Sequence, residues 1–174
     1  MRNIVIVPAR EKSKEVRYKN LKTLDDKKTL LEIAFENASK ISKDIWLSSE
    51  SSLLIEYAKF IGFEIKERPK KLSTDMATLD EVIDYHIQQD YLNEEDILWV
   101  LQPTCPFLKI QTIIDIKKVL ENDSIQSVFT AKKVKGFYWQ EKEDGSFTRF
   151  YTNRENRQTM KNNIISETGL LTAT

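Results

Sequence analysis

The chain has 174 residues, with 27 Lys and Arg against 27 Asp and Glu, 40% hydrophobic and 31% charged side chains, and only four Gly and four Pro; it is long enough to bury a core without staples and is neither disordered nor collagen-like. The even charge balance argues against sequence-independent nucleic-acid binding, which relies on many uncompensated contacts to phosphate. Cys105 stands alone, so no internal disulfide is expected; with no signal-peptide pattern and no run near the ~18 apolar residues of a membrane span, the expectation is a cytoplasmic protein away from membranes.

In chain order, Ile4 to Val7 is a run of β-branched residues without polar alternation, the pattern of a strand covered on both faces. Leu30, Leu31, Ile33, Ala34, Phe35 and Ala38 recur at helical spacing behind Thr29, a residue suited to the N-cap. Ile45 to Leu47 is a short strand, Ser51 to Ile61 a helix stopped by Gly62, and Phe63 to Lys66 strand-like again. After a loop from Arg68 to Asp75, in which Asp75 reads as an acid favouring a helix start, a helix is expected from Leu79 to about Tyr91 with Val82, Ile83 and Ile87 inward. Ile97 to Leu101 is a strand halted at Gln102-Pro103, Lys109 to Asn122 a helix, and Gln126 to Ala131 a strand.

Strand and helix thus alternate, which predicts an α/β fold: a Rossmann-like three-layer sandwich with a mostly parallel sheet and helices on both faces. Only residues 136 to 155 depart from it, as a hairpin extension with a turn at Asp144-Gly145. A single domain over 1–174 is expected. His86, the one histidine, reads as a surface or half-buried helix residue, and Cys105 as a small buried hydrophobe. Phe137, Tyr138, Trp139, Phe147, Phe150 and Tyr151 read as hairpin packing or a subunit contact. No Cys/His cluster with zinc spacing occurs.

The stretch after the first strand holds the chemistry. Arg10, Lys12, Lys14, Arg17 and Lys19 follow directly on the apolar run, and Glu11 and Glu15 leave a cationic excess. Open α/β sheets bind ligands at the carboxyl ends of their strands, so this loop faces the binding edge. Arg offers phosphate a planar fork and Lys a mobile point charge. Neither a Walker A string nor a G-x-G-x-x-G fingerprint occurs.

"PAREKSKEVRYKNL" resembles the first motif of the acylneuraminate cytidylyltransferases, the CMP-sialic acid synthetases, A-R-x-x-S-K-x-x-x-x-K-N-L, through Ala9, Arg10, Ser13, Lys14, Lys19, Asn20 and Leu21. Further motifs follow in the family's order. "SSES" from Ser48 stands where the family has S-T-D, with Glu50 as the acid. "RPKKLSTDMA" from Arg68 to Ala77 resembles R-P-x-x-L-[AS]-x-D-x-A, and "LQPTCPFL" from Leu101 resembles L-Q-P-T-S-P-L-R. Arg157, Gln158, Glu167 and Gly169 are similar to the family's last R-Q and glycine stretch. The chain departs from the pattern at Lys12 and Glu15, where the family has glycines, and at Leu108, where it has Arg.

This resemblance implies a nucleotidyltransferase fold and transfer of CMP from CTP to a nine-carbon 2-keto sugar acid of the sialic type, with pyrophosphate released. It implies that Arg10 and Lys19 are catalytic and hold phosphate with Ser13 and Lys14. Asn20, Arg68 and Ala77 then border the cytidine, while Gln102, Thr104 and Arg157 face the sugar. It also implies Mg²⁺ and a homodimer; the family's Asp-x-Asp metal element lies in a C-terminal part that this chain is expected to lack, so no metal ligand is assigned. The alternative is a non-catalytic or truncated nucleotide-binding domain of the same fold.

Overall fold

The computed structural model describes residues 2–13, 16–89, 92–122, 124–150, 156 and 164–174. Its elements are β1 (Asn3–Pro8), β2 (Thr23–Leu24), β3 (Lys28–Thr29), α1 (Leu30–Ala38), β4 (Asp44–Ser49), α2 (Ser52–Ile61), β5 (Glu64–Glu67), α3 (Leu79–Gln89), β6 (Ile97–Leu101), α4 (Ile110–Leu120), β7 (Val128–Lys133), β8 (Trp139–Glu141), β9 (Phe147–Arg149) and β10 (Ile165–Ala173). One-turn 3₁₀ helices stand at Lys19–Leu21 and Lys70–Ser73.

The apolar run of β1 serves two cores at once, because successive strand side chains point to opposite faces. Val5 and Val7 enter a cluster with Leu31 and Ala34 of α1, Leu54 and Ala58 of α2, and Ile113 and Ile116 of α4. Ile4 and Ile6 join Trp46, Leu98 and Val100 on the other side, against Leu79 and Ile83 of α3. Helices therefore cover both faces, as the alternation of elements predicts. Each fully buried aliphatic side chain contributes on the order of 2 kcal/mol, as an upper estimate. Trp99, with no exposed surface, satisfies its indole N–H by donating to Asn3 Oδ1 at 2.9 Å.

The sheet order is β5-β4-β1-β6-β10-β7. β1 lies parallel to β4 and β6, and β4 parallel to β5. β10 enters antiparallel to β6 with Leu171 opposite Leu101. Because β4 and β5 extend the sheet to one side of β1 and β6 adds to the other, the order reverses between β1 and β6, and a crevice opens at their carboxyl ends.

Local signals explain the helix ends. Thr29 Oγ1 accepts from Glu32 N–H at 3.1 Å while Glu32 returns the bond to Thr29 N–H at 2.7 Å, a complete capping box. Gly62 ends α2 at φ +118°, where an added Cβ would lie 3.1 Å from Phe35 Cζ. At α3 the expectation is corrected. Thr78 and Glu81 hold each other reciprocally at the helix start, through Thr78 N–H to Glu81 Oε2 at 2.7 Å and Glu81 N–H to Thr78 Oγ1 at 3.2 Å, and Asp75 is engaged elsewhere. The inner face of α3 is likewise shifted: Val82 and His86 are buried and Ile87 is 42% exposed. Ile87 sits about 80° around the axis from Leu79, at the margin of the buried stripe. The two-residue arms of β2 and β3 were not foreseen, since they are too short to show a period.

The chain divides into two compact units, one running to Phe129 and including 170–174, the other spanning Thr130–Gly169. In the second, β8 and β9 pair with Trp139 opposite Arg149 and Glu141 opposite Phe147. The turn is at Asp144-Gly145 as expected: Gly145 has φ +77°, and Asp144 Oδ1 accepts from Ser146 N–H at 2.8 Å. Trp139, Phe147 and Phe150 are each more than half exposed, so they do not form a hairpin core. Tyr151 lies outside the described residues. Among the described residues no helix is long and apolar enough to cross a membrane.

Asp96 anchors the amino end of β1. Its Oδ2 accepts from Arg2 Nε and Nη2 at 3.1 and 2.7 Å, and its Oδ1 from Arg2 N–H at 2.9 Å. The Arg2 side-chain donors, then its backbone N–H, hold the Asp96 carboxyl well below the usual carboxylate range. A carboxyl depressed on folding stabilises the protein above its unfolded pKa, about 3.9, and that contribution is lost as pH falls through the folded value. Asp96→Asn is therefore expected to lower Tm at pH 7, with the gap to the parent shrinking as melts are run below about pH 4; a gap independent of pH would contradict this.

Candidate functional site

At the carboxyl edge the β1 and β4 ladder ends with Pro8 opposite Ser48 and is prolonged by Ala9 N–H donating to Ser48 O at 2.9 Å. Arg68 N–H donates to Ser49 O at 3.0 Å, so the chain beyond β5 starts from the same edge. The loop after β1 returns through Tyr18, whose backbone is left-handed at φ 52°, into the turn Lys19–Leu21. That return buries Asn20, whose Nδ2 donates to Arg10 O at 3.0 Å and fixes the two ends of the loop to each other.

A cleft of about 310 Å³ opens there. Arg10, Ser13, Lys19 and Asn20 line it from the loop after β1, Arg68 and Ala77 from the segment between β5 and α3, and Gln102 and Thr104 from the loop after β6. The structure thus brings these sequence-predicted residues together on one lining. Lys14 and Arg157 lie outside the described residues. Asp75, Ser73 and Thr78 also line the cleft and were not named as site residues; Asp75 stood in the quoted motif, but its spacing alone also suited a helix start.

Behind the lining is a buried polar framework. Arg68 is 6% exposed. Its Nε donates to Ser73 Oγ at 2.8 Å, its Nη1 to Ser48 Oγ at 3.4 Å, and its Nη2 lies 3.6 Å from Glu50 Oε2. Glu50 also accepts from Ser73 Oγ–H at 2.6 Å and from Glu11 N–H at 3.1 Å. Glu11 in turn accepts from Ser51 Oγ–H at 2.8 Å, beside the start of α2. Glu11 and Glu50 are therefore used to tie the cationic loop to β4 and α2, and neither lines the cleft. The acid in "SSES" is legible in sequence; its partners are not.

Burial lowers the Arg68 guanidinium below its ordinary value, Glu50 opposes that, and the nearby Arg10 adds to it. Arg10 Nη1 donates to Asp75 Oδ1 at 2.9 Å and to Thr74 O at 3.3 Å. The lining thus sets Arg10, Lys19 and Arg68 against the Asp75 carboxylate, an excess suited to an anion. Cys105 is buried as expected, and burial pushes its thiol up, away from thiolate chemistry. His86 is not at the surface: it is 1% exposed and lies with Nε2 2.7 Å from Ser48 Oγ. Among the described residues no group of three or more His, Cys, Asp or Glu side chains is placed to hold a metal ion, so a protein cage for magnesium is not found there.

A parallel-centred sheet with its cleft at the switch point defines an α/β nucleotidyltransferase fold, and solved structures agree on it. A CMP:2-keto-3-deoxy-manno-octonic acid synthetase complexed with CTP superposes with a TM-score of 0.67 at 12% identity, over 99% of this chain and 73% of that one. The 2-C-methyl-D-erythritol 4-phosphate cytidylyltransferase of Francisella tularensis gives 0.67 at 14%, over 99% and 72%. The sequence pattern of the family described as cytidylyltransferase matches residues 4–168, and the chain belongs to that family. Among curated proteins it is 33% identical over 135 residues to the Helicobacter pylori pseudaminic acid cytidylyltransferase and UDP-2,4-diacetamido-2,4,6-trideoxy-beta-L-altropyranose hydrolase, covering 75% of this chain and 26% of that protein. It is 30% identical over 151 residues to an N-acylneuraminate cytidylyltransferase of Streptococcus agalactiae, covering 85% of this chain and 35% of the relative. The chain thus spans about a quarter to a third of the length of these curated relatives.

The Glu50 and Arg68 side chains are 13% and 4% exposed, so removing one partner leaves a buried charge uncompensated. Glu50→Ala is expected to destabilise the fold by on the order of 3 kcal/mol in urea titrations, while replacing both residues with apolar ones of similar volume costs much less. Equal losses for the single and double variants would show that the charge pair is not the cause.

Proposed function

We propose that the chain transfers a cytidylyl group from CTP to the anomeric hydroxyl of an acidic 2-keto sugar. The hydroxyl oxygen bonds to the α-phosphorus in line, the bond from that phosphorus to pyrophosphate breaks, and the hydroxyl proton leaves to solvent. Such chemistry asks the protein mainly to position the reactants and to neutralise phosphate charge. The observation that carries the reading is the convergence of Arg10, Lys19 and Arg68 on one cleft at the carboxyl edge of the sheet.

In this reading Arg10, Ser13 and Lys19, with Lys14, hold the triphosphate, and Arg10 exchanges Asp75 for a phosphate oxygen. Asn20, Arg68 and Ala77 take the nucleoside; Gln102, Thr104 and Arg157 take the sugar. The sialic and pseudaminic substrates in the relatives' names support a nine-carbon acceptor. Mg²⁺ enters as part of the nucleotide substrate, since magnesium is commonly held by phosphates with few protein carboxylates. The exposed aromatic residues of β8, β9 and Phe150 support a homodimer built on that hairpin. A second reading, CTP binding without turnover, is favoured by a cleft in which, among the described residues, the one lining carboxylate, Asp75, is paired with Arg10.

Pyrophosphate release from CTP, measured with Mg²⁺ and a panel of sialic, legionaminic and pseudaminic acids, separates the two. Turnover supports transfer; CTP binding by calorimetry without turnover supports the second; failure to bind CTP sinks both. Arg10→Ala and Lys19→Ala are each expected to lower kcat/KM for CTP by about 10²- to 10³-fold with little change in Tm.

A further inference from the structure

His86 reaches the cleft through a single oxygen. Its imidazole is 1% exposed on the inner face of α3, and Nε2 lies 2.7 Å from Oγ of Ser48, which is wholly buried near the end of β4. The same Oγ accepts from Arg68 Nη1 at 3.4 Å. A serine hydroxyl has one proton to give, and a guanidinium accepts none. With the ring proton on Nδ1, Nε2 takes the serine proton while the Oγ lone pairs remain for Arg68; with the proton on Nε2, Oγ accepts from both. The first arrangement runs the bonds in one direction, from Arg68 through Ser48 to His86, and is the one the relay requires.

The guanidinium is held on each nitrogen. Ser73 accepts from Nε, Glu50 faces Nη2, and Ser48, whose Oγ also lies against His86 Nε2, accepts from Nη1. Without its contact to His86 the Ser48 side chain loses a hold on its χ1 rotamer, and a change of that rotamer carries Oγ away from Nη1. A fork of fixed orientation offers its remaining N–H groups in one direction, which selects a ligand with an acceptor there.

We infer that His86 is a positioning residue which, through Ser48, holds the Arg68 guanidinium at the angle needed to read the nucleoside end of a bound nucleotide. This rests on the nucleotide reading of the cleft. It also separates two tasks: Arg10, Ser13 and Lys19 of the loop after β1 take the polyphosphate irrespective of base, and the Arg68, Ser48 and His86 row selects among bases. A pyrimidine carbonyl is the kind of acceptor this row would recognise.

The test uses the full chain with His86→Leu, which removes the acceptor, and His86→Gln, whose longer amide can still take the Ser48 proton. Calorimetry is run with CTP, UTP, ATP and inorganic tripolyphosphate, and folding is followed by urea titration. Expected is a roughly tenfold loss of CTP affinity in His86→Leu, with tripolyphosphate unchanged and selectivity for CTP reduced, and substantial recovery in His86→Gln. Combined with Arg68→Lys, the His86→Leu loss should largely vanish, because both act on the same contact. Unchanged CTP affinity, equal losses for CTP and tripolyphosphate, or additive losses with Arg68→Lys would overturn the inference.

A reading that needs neither nucleotide nor an altered core comes from the imidazole itself. It is the sole histidine of the chain, so its ring ¹⁵N signals are unambiguous. Nε2 should appear unprotonated in the parent protein and shift in Arg68→Lys. A protonated Nε2 overturns the relay even if His86→Leu fails to fold. If the parent protein binds neither CTP nor tripolyphosphate, the proposed function fails, while this measurement still decides the relay.

Discussion

A guanidinium taken out of water must be met by a carboxylate and by acceptors for its N–H groups, and the burial of Arg68 organises the carboxyl edge of this sheet. Glu50 supplies the charge, and Ser48 and Ser73 the acceptors. Each of these has a second task. Ser48 touches α3 through His86, Ser73 sits in the turn that lines the cleft, and Glu50 holds the backbone of the cationic loop at Glu11. One desolvated charge thus couples β4, the post-β5 segment, α3 and the loop after β1, which explains how a loop poor in glycine is held in a defined place.

The same framework accounts for the electrostatics of the cleft. Glutamates in a cationic loop would oppose an anionic ligand if they faced it; Glu11 faces Ser51 instead and contributes to structure. Among the described residues the charges on the lining are cationic apart from Asp75, which is bound to Arg10. Arg10 and Arg68 are near enough for the charge of one to disfavour that of the other, a repulsion that a polyanion between them relieves. In this loop, poor in glycine, the left-handed backbone of Tyr18 brings Lys19 and Asn20 back towards Arg10.

Solved structures sharing this fold carry different acceptors in their names, an octonic acid and an erythritol phosphate among them. A common sheet edge with variable loops is how one architecture serves several substrates. Here the segments after β5 and β6 supply Arg68, Ala77, Gln102 and Thr104 to the cleft.

Periodicity and capping residues in the sequence determined the order and type of the main elements. Thr29, Ser51 and Gly62 act within a few residues of themselves, and an unbroken β-branched run such as Ile4 to Val7 has little choice but a strand covered on both sides. The candidate site was legible as motifs for the related reason that its residues come in short strings at strand ends. Tertiary structure alone decided which of those residues meet. Asp75 pairs with Arg10 across 65 positions, and His86 with Ser48 across 38. Such partnerships depend on the order of strands and the rotation of α3, and hydrogen bonding between distant side chains leaves no spacing in the chain to be read.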